Sequence, residues 1–274
     1  MKEKYIAVDL DGTLLNSKGE ISGDNINAIK HLAAMGIKTI ILTGRTFYEI
    51  PQDIRTCDGI EYFIFSNGAG IRHWKKGLLR YSPIPKELAI GIFDILKSSA
   101  CFIELYSNGN PYVNRNEFNR ETLEYFNIDA AFIPTMEKTR IPINNLEELL
   151  YDDSYKIEMF DIFFKYDNQR SESINRFKSD YPKLGITTSM TNNLEILNNG
   201  INKGFGLQTL CEAEKIDISS IIVLGDSKND ISAFKIAKTK YAVSNACIEI
   251  KELADKVICS NDEGIMKYME RELL

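Results

Sequence analysis

The chain has 274 residues, 44% of them hydrophobic and 26% charged, which is the composition of a folded globular protein and excludes gross disorder. Its formal net charge of -6 argues against a nucleic-acid partner, because such binding draws on Lys and Arg neutralising phosphates. Five scattered cysteines, Cys57, Cys101, Cys211, Cys247 and Cys259, lack metal-finger spacing and read as reduced thiols. No apolar stretch approaches the ~18 residues of a membrane span, so no membrane association is expected. Lys2, Glu3 and Lys4 are followed by only four apolar residues, too few for a secretory signal, and cytoplasmic residence is the default.

Tyr5-Ile6-Ala7-Val8 is an apolar run without alternation, the pattern of a parallel strand covered on both faces, and it delivers Asp9 to a strand end. Ser22 can cap a helix carrying Ile26, Ile29, Leu32 and Ala33, with Gly36 as its stop, and Lys38 to Leu42 is a second buried strand ending at Thr43. A helix is expected from about Thr46, then a third strand from Tyr62 to Phe65 leading into Ser66-Asn67-Gly68. Strand and helix in alternation imply a parallel sheet with right-handed crossovers. Ligands of such sheets sit outside the carboxyl ends of the strands, where Asp9, Thr43 and Asn67 fall.

Near Ser82-Pro83-Ile84-Pro85 the rhythm changes. Helical stretches around Lys86 to Ser98 and Glu117 to Phe126 follow, with strand-like runs at Cys101 to Tyr106, Ile157 to Lys165 and Ile186 to Ser189. An inserted domain is expected over residues 84–190, leaving a discontinuous core of 1–83 and 191–274. The core rhythm is expected to resume at Leu194 to Leu197, followed by a helix from about Lys203 to Glu214 and a strand from Ser220 to Leu224 that ends at Gly225-Asp226. A helix from Asp230 to Ala237, short strands at Tyr241 to Val243 and Lys256 to Cys259, and a last helix to Arg271 complete the chain. The fold class expected is α/β, a Rossmann-like parallel-sheet core with an inserted α/β domain.

Asp9 and Asp11 stand two apart at a strand end, a spacing that can bring both carboxylates to one region. They cannot comfortably both be charged without sharing a proton or gaining a cation. A hard ion such as Mg²⁺ suits them, since it favours oxygen ligands and takes few protein carboxylates, and Asp226 is a natural further ligand. Gly12 permits a turn whose N–H groups face an anion, Thr43 adds a hydroxyl and Lys203 a full positive charge. Arg45 can add positive potential for an anionic substrate. Phosphoryl transfer needs such a constellation, because its charge spreads over the equatorial oxygens, and a carboxylate can serve as the nucleophile.

Asp9-Leu10-Asp11-Gly12-Thr13-Leu14, Leu42-Thr43-Gly44-Arg45, Asn202-Lys203-Gly204 and Gly225-Asp226-Ser227-Lys228-Asn229-Asp230 resemble, in order, the four motifs of the haloacid dehalogenase superfamily. The likeness is closest to its Cof-type phosphatases, which carry a large α/β cap where this chain has its insertion. The resemblance implies that Asp9 attacks phosphorus, while Asp11 protonates the leaving oxygen and then activates water. It implies that Thr43 and Lys203, with Gly44 and Asn229, hold the phosphoryl group. Asp9, Asp226 and Asp11, the last through its backbone carbonyl, would hold Mg²⁺, with Asp230, Arg45 and Asn67 in support. Ser232-Ala233-Phe234 and Lys240-Tyr241-Ala242-Val243 depart from the usual pattern, which touches local packing.

The expected activity is hydrolysis of a small phosphomonoester, a sugar phosphate or a phosphorylated cofactor, by a monomer or small homo-oligomer. A phosphosugar mutase on the same fold and a noncatalytic sensor of phosphorylated metabolites are the alternatives. The sensor is disfavoured because Asp9, Asp11, Lys203 and Asp226 are all present.

Overall fold

The computed structural model describes residues 5–130 and 132–274; Lys2, Glu3 and Lys4 lie outside them. Two compact units form. The first comprises the chain up to Arg45, Ile50–Tyr81 and Asn202–Leu274, and the second comprises Thr46–Glu49 and Ser82–Ile201. Before the insertion run strands β1 (Tyr5–Val8), β2 (Lys38–Leu42), β3 (Ile60–Phe65), β4 (Gly70–His73) and β5 (Gly77–Tyr81). Within it lie β6 (Cys101–Ser107), β7 (Asn110–Asn114), β8 (Ile141–Ile143), β9 (Ile157–Phe164), β10 (Gly185–Thr187) and β11 (Asn193–Leu197). After it come β12 (Ile221–Gly225), β13 (Thr239–Ala242) and β14 (Lys256–Val257).

The first unit's sheet has the order β14-β13-β12-β1-β2-β3-β4-β5 and is parallel except at β4 and β5. Register fixes what its carboxyl edge presents: Val8 lies opposite Leu224 on β12 and Ile41 on β2, so Asp9, Thr43 and Asp226 leave the sheet at one level. The strands themselves are buried aliphatic runs, and each fully buried Ile or Leu adds about 1.5–3 kcal/mol of driving force. The helix Gly23–Ala34 starts where Ser22 predicts, its Oγ accepting the Asn25 N–H at 3.2 Å; it buries Ile29 and Leu32 and packs beside the last helix, Ile265–Leu273.

Two expectations fail. The helix expected from Thr46 is a 3₁₀ turn, Phe47–Glu49, and a single turn, Gln52–Arg55, because Pro51 between them has no N–H to continue a helix. Leu194 to Leu197 does not return to the first sheet. It forms β11, paired antiparallel with β9, and the first unit resumes only at Asn202 and not at residue 191. Alternation explains this: Leu194 and Ile196 join an apolar cluster with Phe160 and Ile162, while Asn193 and Glu195 point the other way. A parallel core strand is apolar on both faces; this one is not.

The second unit's sheet runs β10-β11-β9-β6-β7-β8, antiparallel except for β7 with β8. Its helix Asp167–Asp180 escapes sequence reading because among its residues Phe177 alone is buried, so no apolar stripe marks it. Glu104, Asp161 and Glu195 stand directly opposite one another across β6, β9 and β11, all buried. Burial pushes the Asp161 carboxyl well above its usual range, and its two acidic neighbours push it further. Arg140 grips Glu104 at 2.9 and 2.8 Å and also bonds Glu49, with no exposed side-chain surface. All five cysteines are free thiols, and no helix among the described residues is long and apolar enough to cross a membrane.

Removing one partner from a buried ionic group strands the others without solvent. Arg140→Ala is therefore expected to destabilise the second unit by about 3–5 kcal/mol in chemical denaturation. A loss under about 1 kcal/mol, the range of surface ion pairs, would show that Glu49 and Glu104 do not depend on it.

Candidate active site

The carboxyl edge of β1 opens into a wide turn. Leu14 N–H donates to the Asp9 carbonyl at 3.1 Å and Leu15 N–H to that of Leu10 at 2.8 Å, with Gly12 in the left-handed region at φ 77°. Three asparagine side chains pin this turn from outside it. Asn245 donates to the Gly12 carbonyl at 2.8 Å, Asn261 to that of Leu15 at 2.9 Å and Asn25 to that of Leu14 at 3.3 Å. Turn carbonyls that no strand or helix pairs are thereby satisfied.

Lys203 opens the helix Lys203–Glu214, whose N-cap Asn202 accepts the Phe205 N–H at 2.9 Å. Gly204 lets this helix end approach the 225–232 loop closely: a Cβ there would stand 2.4 Å from the Ser232 carbonyl, and its N–H donates to Ser232 Oγ at 3.0 Å. The fully buried ammonium lands between two carboxylates, 2.7 Å from Asp9 Oδ1 and 2.6 Å from Asp230 Oδ1. The other Asp230 oxygen accepts the N–H groups of Asp226 at 3.0 Å and Ser227 at 3.1 Å, so this residue ties the loop to the lysine. Asp226 in turn accepts from Thr13 Oγ1 at 3.0 Å.

Asp9, Asp226 and Asp230 offer ligand oxygens all within 4.8 Å of one another. Three carboxylates against one ammonium leave a local deficit of two positive charges, which is what a divalent cation supplies, and the all-oxygen donor set suits a hard ion. The electrostatics agree. Burial pushes Asp9 well above its usual range, with Asp230, Asp226 and Asp11 adding to the shift, and Lys203 only partly opposes it. Asp226 is raised to about 7 by burial and by Asp230. Lys203 moves up, because Asp230 and Asp9 outweigh the burial that would lower it.

Thr43 and Gly44 lie on the same edge. The Thr43 hydroxyl accepts the Arg45 N–H at 3.1 Å, which leaves its own proton to donate. Gly44 is backed by Asn67, whose Oδ1 accepts from Asn229 Nδ2 at 3.3 Å. Asp11 is placed differently from its sequence neighbour: its carboxylate is absent from the three-acid cluster and is held by Arg45 at 2.8 and 2.6 Å. Sequence reading gives no role to Thr13, Ser232, Asn25, Asn245 or Asn261, all of which brace the site. Their signal is weak, since a Thr, Ser or Asn that holds a loop looks like any other polar turn residue.

Two consequences can be measured. In Gly12→Ala a Cβ would lie 2.5 Å from Asp226 Oδ2 in a left-handed turn that disfavours it. We expect divalent-cation affinity in calorimetry to fall about tenfold or more, the scale of lost ligand support. Because the Asp226 pKa is raised to about 7, its carboxyl carries a proton at pH 6 that a cation must displace. Binding at pH 6 should release about one proton per ion or more and be weaker than at pH 8, as read in buffers of different ionisation enthalpy. Equal affinity at both pH values would contradict the raised carboxyl.

The sequence profile of haloacid dehalogenase-like hydrolases matches residues 6–269. The chain is 28% identical over 288 aligned residues to the phosphatase YwpJ of Bacillus subtilis, spanning 99% of this chain and 100% of that one. It is 29% identical over 286 residues to the 5-amino-6-(5-phospho-D-ribitylamino)uracil phosphatase YwtE of the same bacterium, spanning 99% and 98%. A solved haloacid dehalogenase-like hydrolase from B. subtilis superposes with a TM-score of 0.87 at 29% identity, over 99% of this chain and 100% of the other. With four ordered motifs converging on one sheet edge and the family profile matching across both units, the chain belongs to the haloacid dehalogenase-like hydrolases.

Proposed function

We propose that this chain is a Mg²⁺-dependent phosphatase that hydrolyses small phosphomonoesters, sugar phosphates or phosphorylated cofactors, through an aspartyl-phosphate on Asp9. The observation that carries the proposal is the buried Asp9–Lys203–Asp230 arrangement with Asp226 beside it, a nucleophile, a cation and a metal-ligand set at one strand edge. The two B. subtilis relatives named as phosphatases support the reaction class.

An Asp9 carboxylate oxygen forms a bond to phosphorus while the bond to the leaving oxygen breaks, and Asp11 gives that oxygen its proton. Asp11 then takes a proton from a water molecule, which attacks phosphorus, releases inorganic phosphate and regenerates Asp9. Lys203, the Thr43 hydroxyl and the Gly44 N–H hold the phosphoryl oxygens, where the transferring group spreads its charge. Asn229 and Asn67 back Gly44 from behind, and Asp230 keeps Lys203 and the loop that bears Asp226 in place. Asp9, Asp226 and the Asp11 carbonyl are the residues that would hold Mg²⁺, which when bound neutralises the excess carboxylate charge and lets phosphate approach. The enzyme is read as a cytoplasmic monomer or small homo-oligomer acting on a diffusible metabolite.

The test is phosphate release from a panel of phosphorylated metabolites with Mg²⁺, repeated after chelation and with Asp9→Asn. Turnover should require the cation and fall by on the order of 10³-fold or more in the variant, the scale of losing a nucleophile. A hydroxylamine-sensitive label from a reactive phosphate donor should appear on the native protein and be absent from Asp9→Asn. Phosphate release at native rates in that variant would overturn the proposal.

A further inference from the structure

Arg45 is a charged side chain at this edge whose task the reaction above leaves open. We propose that it is a positioning residue for Asp11, fixing the carboxylate that transfers the proton, and that it is not a phosphate ligand. The inference rests on the reading of Asp11 as acid and base, and goes beyond it in assigning what holds that group.

The contact is a side-on fork, Nε to Oδ2 at 2.8 Å and Nη2 to Oδ1 at 2.6 Å. Two parallel bonds fix the plane of a carboxylate as well as its distance, which a single-point ammonium cannot do. Burial is lopsided: the Arg45 side chain is 7% exposed and that of Asp11 is 51% exposed. The arginine is therefore the anchor and the aspartate the group presented to solvent and substrate, unlike a surface pair in which both side chains wander. Its backbone is fixed too, since the Arg45 N–H donates to Thr43 Oγ1 at 3.1 Å and its carbonyl accepts the Ser66 N–H at 2.8 Å.

Two cations of the edge thus have different partners. Lys203 is aimed at Asp9 and Asp230, and Arg45 at Asp11. The division has a geometric purpose, because Asp11 stands two residues from Asp9 on a turn and an unrestrained carboxylate there could swing toward the Asp9–Asp226–Asp230 cluster. A carboxylate offers about four lone-pair sites, and a side-on fork takes one on each oxygen. The fork therefore holds the plane of the carboxylate in a constant direction relative to a leaving group or a water.

The experiment uses the full chain, Mg²⁺ and the best ester of the panel, with kcat and KM measured separately for Arg45→Lys, Arg45→Gln, Arg45→Ala, Asp11→Asn and the double variant Arg45→Ala/Asp11→Asn. We expect kcat to fall about a hundredfold in Arg45→Lys and Arg45→Ala, the cost of an ill-placed catalytic group, with KM changed by no more than about twofold. Methylguanidinium should restore part of the rate to Arg45→Ala and none to Asp11→Asn. The double variant should be no slower than Asp11→Asn alone, because the arginine acts only through that carboxylate. A raised KM with native kcat would make Arg45 a phosphate ligand and overturn the inference, as would multiplicative losses in the double variant. If Arg45→Ala does not fold, Arg45→Lys and Arg45→Gln decide the question. Native turnover in Asp11→Asn would sink the reading of Asp11 itself, whereas native kcat in Arg45→Lys beside a crippled Asp11→Asn would sink only the role given to Arg45.

Discussion

One ammonium group organises the first unit. Lys203 Nζ, without solvent exposure, bonds a carboxylate 194 residues away in the chain and another 27 residues away, and those two bonds bring the end of β1 and the loop after β12 to one point. Buried carboxylates are costly to leave without a partner, and losing the ammonium would strand both. The neighbouring features serve the same contact. Gly204 allows the helix end to come close, Ser232 receives its N–H, and Asp230 uses one oxygen on the lysine and the other on two backbone N–H groups.

Three carboxylates face one ammonium at this point. Asp9 and Asp226 are both held above their usual ionisation range, chiefly by burial and by the neighbouring Asp230, although Lys203 opposes the shift in each. In the second unit the same physics is resolved differently. The row Glu104, Asp161 and Glu195 is met by a buried arginine and by Asn193, which donates to Asp161 at 3.0 Å. Acids in the first unit form a cluster of oxygens that suits a hard ion, whereas those in the second are met by an arginine and an asparagine.

Much of this is legible in sequence because strands end visibly. Unbroken apolar runs stop at Asp9, Thr43 and Asp226, and parallel pairing brings such ends together, so distant residues can be recognised as neighbours before any coordinates exist. What escapes is set by contacts without a local signature. That Leu194 to Leu197 pairs with β9 depends on a partner far along the chain, and only its two-residue alternation hints at it. The turn Phe47–Glu49 joins the second unit through a salt bridge with Arg140, about which the residues near Thr46 say nothing. The spacing of Asp9 and Asp11 lets both carboxylates reach one region, yet Asp11 is held by the arginine of another motif.

The first unit is also interrupted. Its central strand β1 is flanked by β2 from the same stretch of chain and by β12 from beyond the insertion. During synthesis on the ribosome β1 is made early, but its second neighbour and the lysine that neutralises Asp9 emerge some 200 residues later, whereas every strand of the second sheet is contiguous. The inserted unit can therefore fold while the nascent chain still grows, and the first unit must wait with an exposed β1 edge and an unpartnered aspartate. Assembly of the chemistry is thus a late event in the life of each molecule, tied to the arrival of the carboxyl-terminal third.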